Sequence, residues 1–376
     1  MTMRPIYLDN QATTPLAPEA RAAMLPYLED RFGNPHSPHL YGREADAAVA
    51  LARERIAAAL GAEPSRLFFT GSATEAANWA LAGVLEAGKR RGIVTVATEH
   101  ACVLETARWL GGRGADAQLL PVGADGLVDL DMAAAAITEG VAIVSVMAVN
   151  NEIGVVQPLA ELSRLARAAG ALVHCDAAQA FGKLPLDLEL FDLVTLSAHK
   201  VYGPKGIGAL WVREGVTLAP LLHGGGQEGK GLRSGTLSPA LCAGFGAAAE
   251  IAGARQTMDC AHAEVLWDRA LGLLDGPYRI NGSTEHRWRG NLNVMLEGVD
   301  ANRLISEVRG VAFSAASACA SGSGKPSHVL SAIGLNNSEA RASVRIGWGR
   351  YTSEDEIDRA FALINAAIER QRRAAA

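Results

Sequence analysis

Short apolar runs alternate with longer amphipathic segments through the first two thirds of the chain. Residues 44–60 and 74–85 carry apolar side chains at helical spacing, and each segment ends near a glycine, Gly61 or Gly88. The apolar runs are compact and nearly continuous, as in strands that are buried on both faces, and they lie at 66–69, 93–96, 141–149, 171–174 and 193–196. Because helices separate the strands, the pattern predicts right-handed βαβ crossovers and an α/β fold, with a mostly parallel central sheet flanked by helices.

The pattern changes after about residue 256. Helical spacing and one strand-like run follow each other there, at 264–274, 287–296, 302–309 and 354–372. This succession is typical of an α+β domain rather than of further βαβ units. We therefore predict a large domain of residues 15–255 and a smaller α+β domain that combines residues 1–14 with 256–376.

Composition narrows the class of protein. The chain has 376 residues, of which 49% are hydrophobic and 20% charged, with a net charge of −5. A disordered chain would be less hydrophobic, and a nucleic-acid binder would carry a basic excess, so no nucleic-acid partner is expected. Aromatic residues make up 5% of the chain and glycine accounts for 40 residues, which favours a large α/β enzyme with a core of small and branched aliphatic side chains.

Location and metal content are predicted from what the sequence lacks. The first ten residues contain no apolar segment of a signal peptide, and the apolar stretch 141–149 is far shorter than the ~20 residues of a membrane span. We therefore expect a cytoplasmic protein without a membrane partner. The five cysteines include no C-x-x-C pair, which argues against a disulfide framework and a structural zinc site, so no metal is predicted.

Polar residues follow several of the predicted strands, where an open parallel sheet collects its ligands. Residues 70–75 (Thr-Gly-Ser-Ala-Thr-Glu) join a strand to a helix, so their small residues and hydroxyls could surround an anion at the helix N-terminus. A serine or threonine at this position is more often only a helix cap. The segment indicates an anion site only in combination with the polar residues at the other strand ends.

Those strand ends carry an acid, an amine and an imidazole. Asp176 ends the strand that begins near residue 171, and Lys200 follows the next strand, 24 positions later (200 − 176). Partial desolvation would lower the pKa of Lys200 and suit it to forming a Schiff base, although an ordinary surface lysine is the commoner case. His100 ends the strand that begins near residue 93, and His199 could add a donor to a bound phosphate. Together with the anion cup, these residues predict a pyridoxal phosphate site in which Asp176 keeps the pyridine nitrogen protonated.

One cysteine and one arginine in the last quarter of the chain are further candidate site residues. Residues 313–324 contain almost no large apolar side chain, so we expect an exposed, mobile loop in which Cys319 is the reactive thiol. Residues 341–350 predict a short strand with three arginines. Arg345, between Val344 and Ile346, is expected to be the buried one and to hold a substrate carboxylate by a two-pronged hydrogen bond.

The chain resembles a cysteine desulfurase of the IscS/NifS type, within the class V aminotransferase group of fold-type I pyridoxal phosphate enzymes. The resemblance rests on motifs in a fixed order along nearly the whole chain, at 7–15, 32–35, 71–75, 98–100, 150–154, 176–179, 197–208, 223–226, 233–236, 317–319 and 343–345. Singly these motifs are modest, but in this order they are highly specific. The resemblance implies a fold-type I transferase and the release of L-alanine from L-cysteine, with a persulfide left on Cys319.

The resemblance also implies roles for individual residues. Lys200 would bind the cofactor and move the Cα proton, and His100 would stack on the ring and serve in acid and base steps. Phosphate ligands would be Ala73, Thr74, Ser197 and His199, with Thr236 from the second subunit of a homodimer. Asn151 and Gln179 would contact the phenolic oxygen of the ring, and Asn34 and Arg345 the substrate carboxylate.

The sulfur acceptor and two rival functions stay open at this point. The acceptor could belong to iron–sulfur cluster assembly or to another sulfur transfer, since the chain stops at Ala376 without the longer tail of some relatives. Ala315 and Ala316 stand where the family often has Ser-Gly, which reduces backbone freedom before Cys319. One rival is a related pyridoxal phosphate enzyme, such as a selenocysteine lyase or an aminotransferase. The other is a non-catalytic sulfur carrier.

Overall fold

The structure is a computed structural model that describes residues 4–226, 228–229, 231–315 and 327–375. Its helices are α1 (Pro18–Leu28), α2 (Leu40–Leu60), α3 (Ala73–Ala87), α4 (Ala101–Gly111), α5 (Leu130–Ala136), α6 (Leu159–Ala168), α7 (Pro239–Leu273), α8 (Ala301–Glu307), α9 (His328–Ala332), α10 (Asn337–Arg341) and α11 (Glu354–Ala375). Its strands are β1 (Ile6–Tyr7), β2 (Leu67–Thr70), β3 (Gly92–Val96), β4 (Asp116–Leu120), β5 (Val141–Met147), β6 (Leu172–Asp176), β7 (Leu193–Ser197), β8 (Gly208–Val212), β9 (Tyr278–Ile280), β10 (Asn291–Leu296), β11 (Val311–Ala312), β12 (Ser314–Ala315) and β13 (Ser343–Gly347).

A mostly parallel sheet forms the centre of the fold, as the sequence pattern predicts. In the described part of the chain its strand order is β2-β8-β7-β6-β5-β3-β4, and only β8 runs antiparallel to its neighbours. Every residue of β2, β3, β5, β7 and β8 is buried, which explains why these segments are continuously apolar rather than alternating. The predictions of an α/β fold and of a mostly parallel sheet are confirmed.

A buried polar network crosses three central strands of this sheet. His174 on β6 lies between Ser145 Oγ of β5 and Thr195 Oγ1 of β7, at 2.8 and 2.9 Å from its two ring nitrogens. All three side chains are fully buried, and burial lowers the pKa of His174 to about 3. The imidazole is therefore neutral near pH 7, and the two hydroxyls satisfy it without an ionic partner.

A second, smaller group of strands is built from the two ends of the chain. Strand β1 pairs in parallel with β11, and the sheet β12-β13-β10-β9 is antiparallel. This arrangement agrees with an α+β region after the central sheet. The predicted division at residues 255 and 256 falls within α7, a continuous helix of 35 residues, so the two-domain assignment stays a prediction.

Small residues allow α7 to pack closely on α2. They also explain why the first half of α7 was not predicted as a helix. A Cβ added at Gly246 would lie 2.7 Å from Ala52 Cα, which leaves no room for any side chain there. The sequence pattern predicted a helix only from residue 264, because the preceding stretch has few large apolar residues to define a face. Among the described helices, none is both long and apolar enough to cross a membrane.

Candidate active site

A cavity of about 480 Å³ opens at the carboxyl ends of the central strands, next to the start of α3. Ten of the predicted site residues line it, namely Ala73, Thr74, His100, Asn151, Asp176, Gln179, Ser197, His199, Lys200 and Arg345. Residues that are far apart in the sequence meet here because parallel strands end at one edge of the sheet. The tertiary structure thus brings most of the predicted site into one place.

The anion end of the cavity is the N-terminus of α3. Ser72 caps the helix by accepting a hydrogen bond from Glu75 N at 3.2 Å, so the structural and the anion-binding interpretations of this segment are compatible. The loop lies directly on β8, where a Cβ at Gly208 would stand 2.7 Å from Ser72 C and 2.9 Å from Ala73 N. The absence of a side chain at Gly208 therefore permits this approach.

Glu75 holds the backbone of this loop in turn. Its carboxylate accepts a hydrogen bond from Gly71 N at 2.7 Å and is gripped by Arg233 at 2.9 and 3.3 Å. Because Arg233 neutralises Glu75, the carboxylate does not oppose an anion at the start of the helix. The loop keeps a fixed shape with its helix N-terminus open to the cavity.

His199 and Ser197 line the same cavity from β7 and the turn after it. His199 Nδ1 lies 3.1 Å from Thr13 Oγ1, which connects the turn to the N-terminal segment. Burial, and then the positive charge of Lys200, lower the pKa of His199 to about 4. The ring is accordingly neutral near pH 7 and serves as a hydrogen-bonding group rather than as a cation.

Asp176 is the last residue of β6 and lies on the floor of the cavity. Its Oδ1 accepts a hydrogen bond from Ala178 N at 2.9 Å, and the residue is 3% exposed. Burial raises its pKa, while the bond from Ala178 and the charges of His100 and Lys200 act in the opposite direction. A carboxyl group in such a place favours a cationic partner, such as a protonated ring nitrogen.

Lys200 closes the short helical turn after β7 and extends its amine into the cavity. Its Nζ donates to Gln11 O at 2.6 Å and to Ala12 O at 2.8 Å. The two carbonyls come from the N-terminal segment and hold the amine at the side of the cavity. A primary amine that shares one cavity with an anion site and a buried carboxyl is positioned to condense with a carbonyl group.

His100 is the N-cap of α4. Its Nδ1 accepts a hydrogen bond from Cys102 N at 3.1 Å, so the neutral ring carries its proton on Nε2. Burial lowers the pKa of His100, and the nearby carboxylate of Asp176 only partly opposes this effect. The ring can therefore take up or give a proton without starting as a fixed cation.

Arg345 lies in the middle of β13 and is the buried arginine of its strand, as predicted. Its Nη1 donates to Asn151 O at 3.1 Å and its Nη2 to Asp9 Oδ1 at 2.9 Å. The residue is 2% exposed and lines the cavity, so it reaches the cavity with only a small part of its surface. Each terminal nitrogen carries two hydrogens, so each keeps one N–H beyond the bond that it makes to Asn151 or Asp9.

Three predicted site residues do not line the cavity. Asn34 is exposed, and its side chain accepts a hydrogen bond from His36 N at 3.0 Å within its own loop. Thr236 is exposed as well, and Cys319 lies outside the described residues. The proposed contributions of all three remain predictions, with that of Thr236 depending on a second subunit.

The cavity is also lined by residues that were not predicted from the sequence as site residues. Asp9, Gln11 and Ser314 line it together with Cys102 and Met147. Ser314 Oγ donates to Asp9 Oδ2 at 2.8 Å, so the carboxylate of Asp9 is shared between Ser314 and Arg345. Asp9 and Gln11 belong to the motif at residues 7–15. That motif supported the family resemblance, but it did not indicate that these two side chains line the site.

The residues present fit pyridoxal phosphate. An anion cradle lies beside Gly208, a buried carboxyl at Asp176, and an amine at Lys200, all within one cavity. These groups match a phosphate, a basic ring nitrogen and an aldehyde, respectively. Arg345 lines the same cavity and is the kind of side chain that binds the carboxylate of an amino acid.

Comparisons with known proteins agree with this arrangement. The family described as "Aminotransferase class-V" matches residues 6–360. The chain is 46% identical to the cysteine desulfurase IscS of Rickettsia akari (strain Hartford), over 98% of this chain and 92% of that protein. Among solved structures, a "NIFS-like protein" superposes with a TM-score of 0.89 at 35% identity, covering 98% of this chain and 99% of the other. A structure described as "SspA in complex with cysteine" gives a TM-score of 0.81 at 36% identity, with 92% and 99% coverage.

Proposed function

The chain belongs to the class-V aminotransferase family and, within it, to the cysteine desulfurases of the IscS/NifS type, and from this premise we propose how its residues take sulfur from L-cysteine. The enzyme depends on pyridoxal 5′-phosphate, uses cysteine as substrate and hands sulfur to an acceptor. When bound, the cofactor supplies an aldehyde that condenses with amines and a ring that withdraws electrons from the substrate Cα. The meeting of Lys200, Asp176 and the α3 N-terminus in one cavity is the observation that carries this proposal.

The phosphate would be held at the start of α3. Backbone and hydroxyl donors of Ala73 and Thr74 would bind it together with Ser197 and His199, and the helix dipole favours its negative charge. All four residues line the anion end of the cavity. Thr236 would reach the phosphate of the second subunit in a homodimer, which agrees with its exposed position in the single chain.

The ring would lie between His100 and the strand ends. Asp176 would hold the proton on the ring nitrogen, and its burial strengthens this ionic contact. Asn151 and Gln179 would orient the ring through its phenolic oxygen. These residues would thereby set both the charge and the orientation of the ring.

The substrate carboxylate would bind Arg345 and Asn34. Arg345 is already held by Asn151 and Asp9 through its two terminal nitrogens, and each of these nitrogens keeps a second N–H that could bind a carboxylate. Asn34 would contribute from the loop after α1, although it lies outside the cavity of the single chain. Such a grip positions the Cα–H of the substrate for proton transfer.

Proton transfer would fall to Lys200 and His100. Lys200 Nζ would take the proton from the substrate Cα and return one to the product, because it is the primary amine that lines the cavity beside the ring. His100, whose neutral ring carries its proton on Nε2, would exchange a proton with the substrate thiol or with Cys319.

Cys319 would receive the sulfur. Its thiolate would attack the substrate sulfur, so that an S–S bond forms while the substrate C–S bond breaks and the carbon takes a proton, which gives L-alanine and a persulfide on Cys319. This residue lies outside the described part of the chain, so its role rests on the family resemblance.

The destination of the sulfur and the setting of the enzyme belong to the proposal as well. We infer a homodimer that passes the persulfide sulfur to a protein of iron–sulfur cluster assembly or of another sulfur transfer. The four described cysteines are free thiols, as is usual in a reducing compartment, which supports a cytoplasmic location.

The test follows L-alanine production and the mass of the Cys319 peptide after incubation with L-cysteine. The wild-type protein should form alanine and add one sulfur to that peptide. Cys319→Ser should stop turnover while the bound cofactor keeps its visible colour, and Lys200→Ala should lose the colour. Cys260→Ser is the matched control, because that thiol donates to Lys183 O at 2.8 Å and serine retains a donor. Full turnover in Cys319→Ser would favour an aminotransferase instead, and a colourless wild-type protein a sulfur carrier.

A further inference from the structure

Lys183 is a partly buried lysine to which the proposed reaction gives no task. It follows the strand end at Asp176 by seven positions (183 − 176) and lines a small second cavity that also reaches Lys200. Its ammonium does not contact the main cavity, but its hydrogen bond leads there. Lys183 Nζ donates to Gln179 Oε1 at 2.9 Å, and Gln179 lines the main cavity.

A continuous chain of hydrogen bonds connects the two lysines. Gln179 Nε2 donates to Gln11 O at 2.8 Å, and the same carbonyl accepts from Lys200 Nζ at 2.6 Å. Lys183 is therefore linked to Lys200 through one amide side chain and one backbone carbonyl. A change at Lys183 reaches the cofactor site through the orientation of Gln179.

The chemistry of the two partners decides that orientation. The amine of Lys183 donates to the amide oxygen, and the carbonyl of Gln11 can only accept. Between them, the Gln179 amide can satisfy both partners in one way, with its oxygen toward Lys183 and its nitrogen toward Gln11. The amide nitrogen carries two hydrogens, so one remains after the bond to Gln11 O.

The surroundings of Lys183 are consistent with a tight electrostatic link to the site. Burial lowers its pKa to about 7, and the charge of Lys200 adds to this effect. His199 in turn responds to the charges of Lys200, Lys205 and Lys183. Asp259 lines the small cavity with Lys183, but it is paired with Arg350 at 2.7 Å.

We propose that Lys183 is a positioning residue that fixes the Gln179 amide so that its free N–H points at the phenolic oxygen of the cofactor. The inference rests on the proposed function, because the contact of Gln179 with that oxygen is part of it. An N–H donor stabilises the anionic form of the oxygen and thereby eases the loss of the proton from the cofactor-bound Lys200 nitrogen. Without Lys183 the amide would be held by Gln11 O alone, and a rotation that turns its free N–H away from the phenolic oxygen would hinder that loss.

The experiment measures the pH midpoint of the visible absorbance band in the full-length holoenzyme, which reports the proton on the cofactor-bound Lys200 nitrogen. Lys183→Met should raise this midpoint by about one pH unit, a roughly tenfold change in the proton equilibrium. Lys183→Arg keeps a donor-only cation and should stay close to the wild-type midpoint.

Two further variants distinguish an effect through the Gln179 amide from the effect of simply removing a positive charge. Lys205→Met removes one exposed positive charge near His199 without touching Gln179, and it should move the midpoint much less than Lys183→Met. Gln179→Ala should raise the midpoint by itself. Adding Lys183→Met to Gln179→Ala should then move the midpoint much less than Lys183→Met does in the wild-type background, because only the direct charge effect remains once the shared hydrogen bond is gone.

The measurements distinguish a failure of the proposed function from a failure of the inference about Lys183. A wild-type protein without a visible band would defeat the proposed function, and this inference with it. A visible band whose midpoint is the same in wild type and Lys183→Met would overturn the inference alone, as would additive shifts in the double variant. If Lys183→Met does not fold, Lys183→Gln supplies the uncharged side chain, and an unchanged midpoint in that variant would overturn the inference equally.

Discussion

Substituting Gly208 by alanine tests whether the close approach of the α3 N-terminus to β8 builds the phosphate site. The added Cβ would stand 2.6 Å from Leu196 O, 2.7 Å from Ser72 C and 2.9 Å from Ala73 N, all of them backbone atoms. Real Cβ atoms do not approach backbone so closely, so the segment at Ser72 and Ala73 has to move away from the strand. Overpacking of this kind costs about 1–3 kcal/mol of the free energy of unfolding.

The same displacement should weaken cofactor binding, because Ala73 belongs to the proposed phosphate cradle. If about half of that cost is expressed at the cradle, the dissociation constant of pyridoxal phosphate rises by roughly 2- to 12-fold, since ~1.4 kcal/mol corresponds to a factor of ten. The assay compares cofactor titrations, followed by visible absorbance, with denaturant unfolding of the apo protein. In Gly208→Ala, both the affinity for the cofactor and the free energy of unfolding of the apo protein should fall.

Gly272→Ala is the matched control for this experiment. Gly272 is exposed near the end of α7, and a Cβ there meets no atom within 4 Å. Alanine should leave the cofactor affinity unchanged and stabilise the protein by up to ~1 kcal/mol, because glycine is a poor helix former. Wild-type cofactor affinity and stability in Gly208→Ala would refute the argument from close approach.

Three further predictions concern acid sensitivity, the substrate and the cofactor cradle. His174 has a pKa of about 3 in the fold against about 6.5 unfolded, so the unfolded chain binds the extra proton between these values. The free energy of unfolding should therefore fall by up to about 1.4 kcal/mol per pH unit as the pH drops from about 6.5 to 3, with a smaller slope in His174→Asn. Arg345→Lys should lower kcat/KM for cysteine by roughly 10–100-fold, because a charge-assisted hydrogen bond contributes about 1.5–3 kcal/mol. Arg233→Gln should weaken pyridoxal phosphate binding by about fivefold, since a typical hydrogen bond contributes ~1 kcal/mol and Glu75 loses its cation.

Each of these predictions has its own control or contrary outcome. An acid unfolding slope that is identical in wild type and His174→Asn would show that the burial of this ring does not govern acid stability. Arg341→Lys changes an exposed arginine near Arg345 and should leave kcat/KM unchanged. Arg66→Gln removes an exposed pair with Glu214, and a loss of cofactor affinity as large as that in Arg233→Gln would contradict the specific role of Glu75.

The central sheet was predictable from the order of residues along the chain. Strands that are covered on both faces must be apolar throughout, so β2, β3, β5 and β7 are visible as short continuous runs. The first half of α7 was not predictable in this way. It packs through Gly246 and other small residues, and the fit of such residues depends on the partner helix rather than on a periodic apolar face.

The order of residues along the chain already specifies which chemical groups meet at the edge of the sheet. Asp176, Lys200 and His100 lie at or shortly after the ends of apolar strands, and parallel strands end together, so their meeting follows from chain order. Only the tertiary structure brought Arg345 to Asp9 and Asp9 to Ser314, pairs separated by 336 and 305 positions. The link from Lys183 through Gln179 to the carbonyl of Gln11 likewise needs the N-terminal segment folded over the sheet. Local patterns specify strands and their ends, whereas contacts between distant segments and the pKa shifts caused by burial depend on how those segments pack.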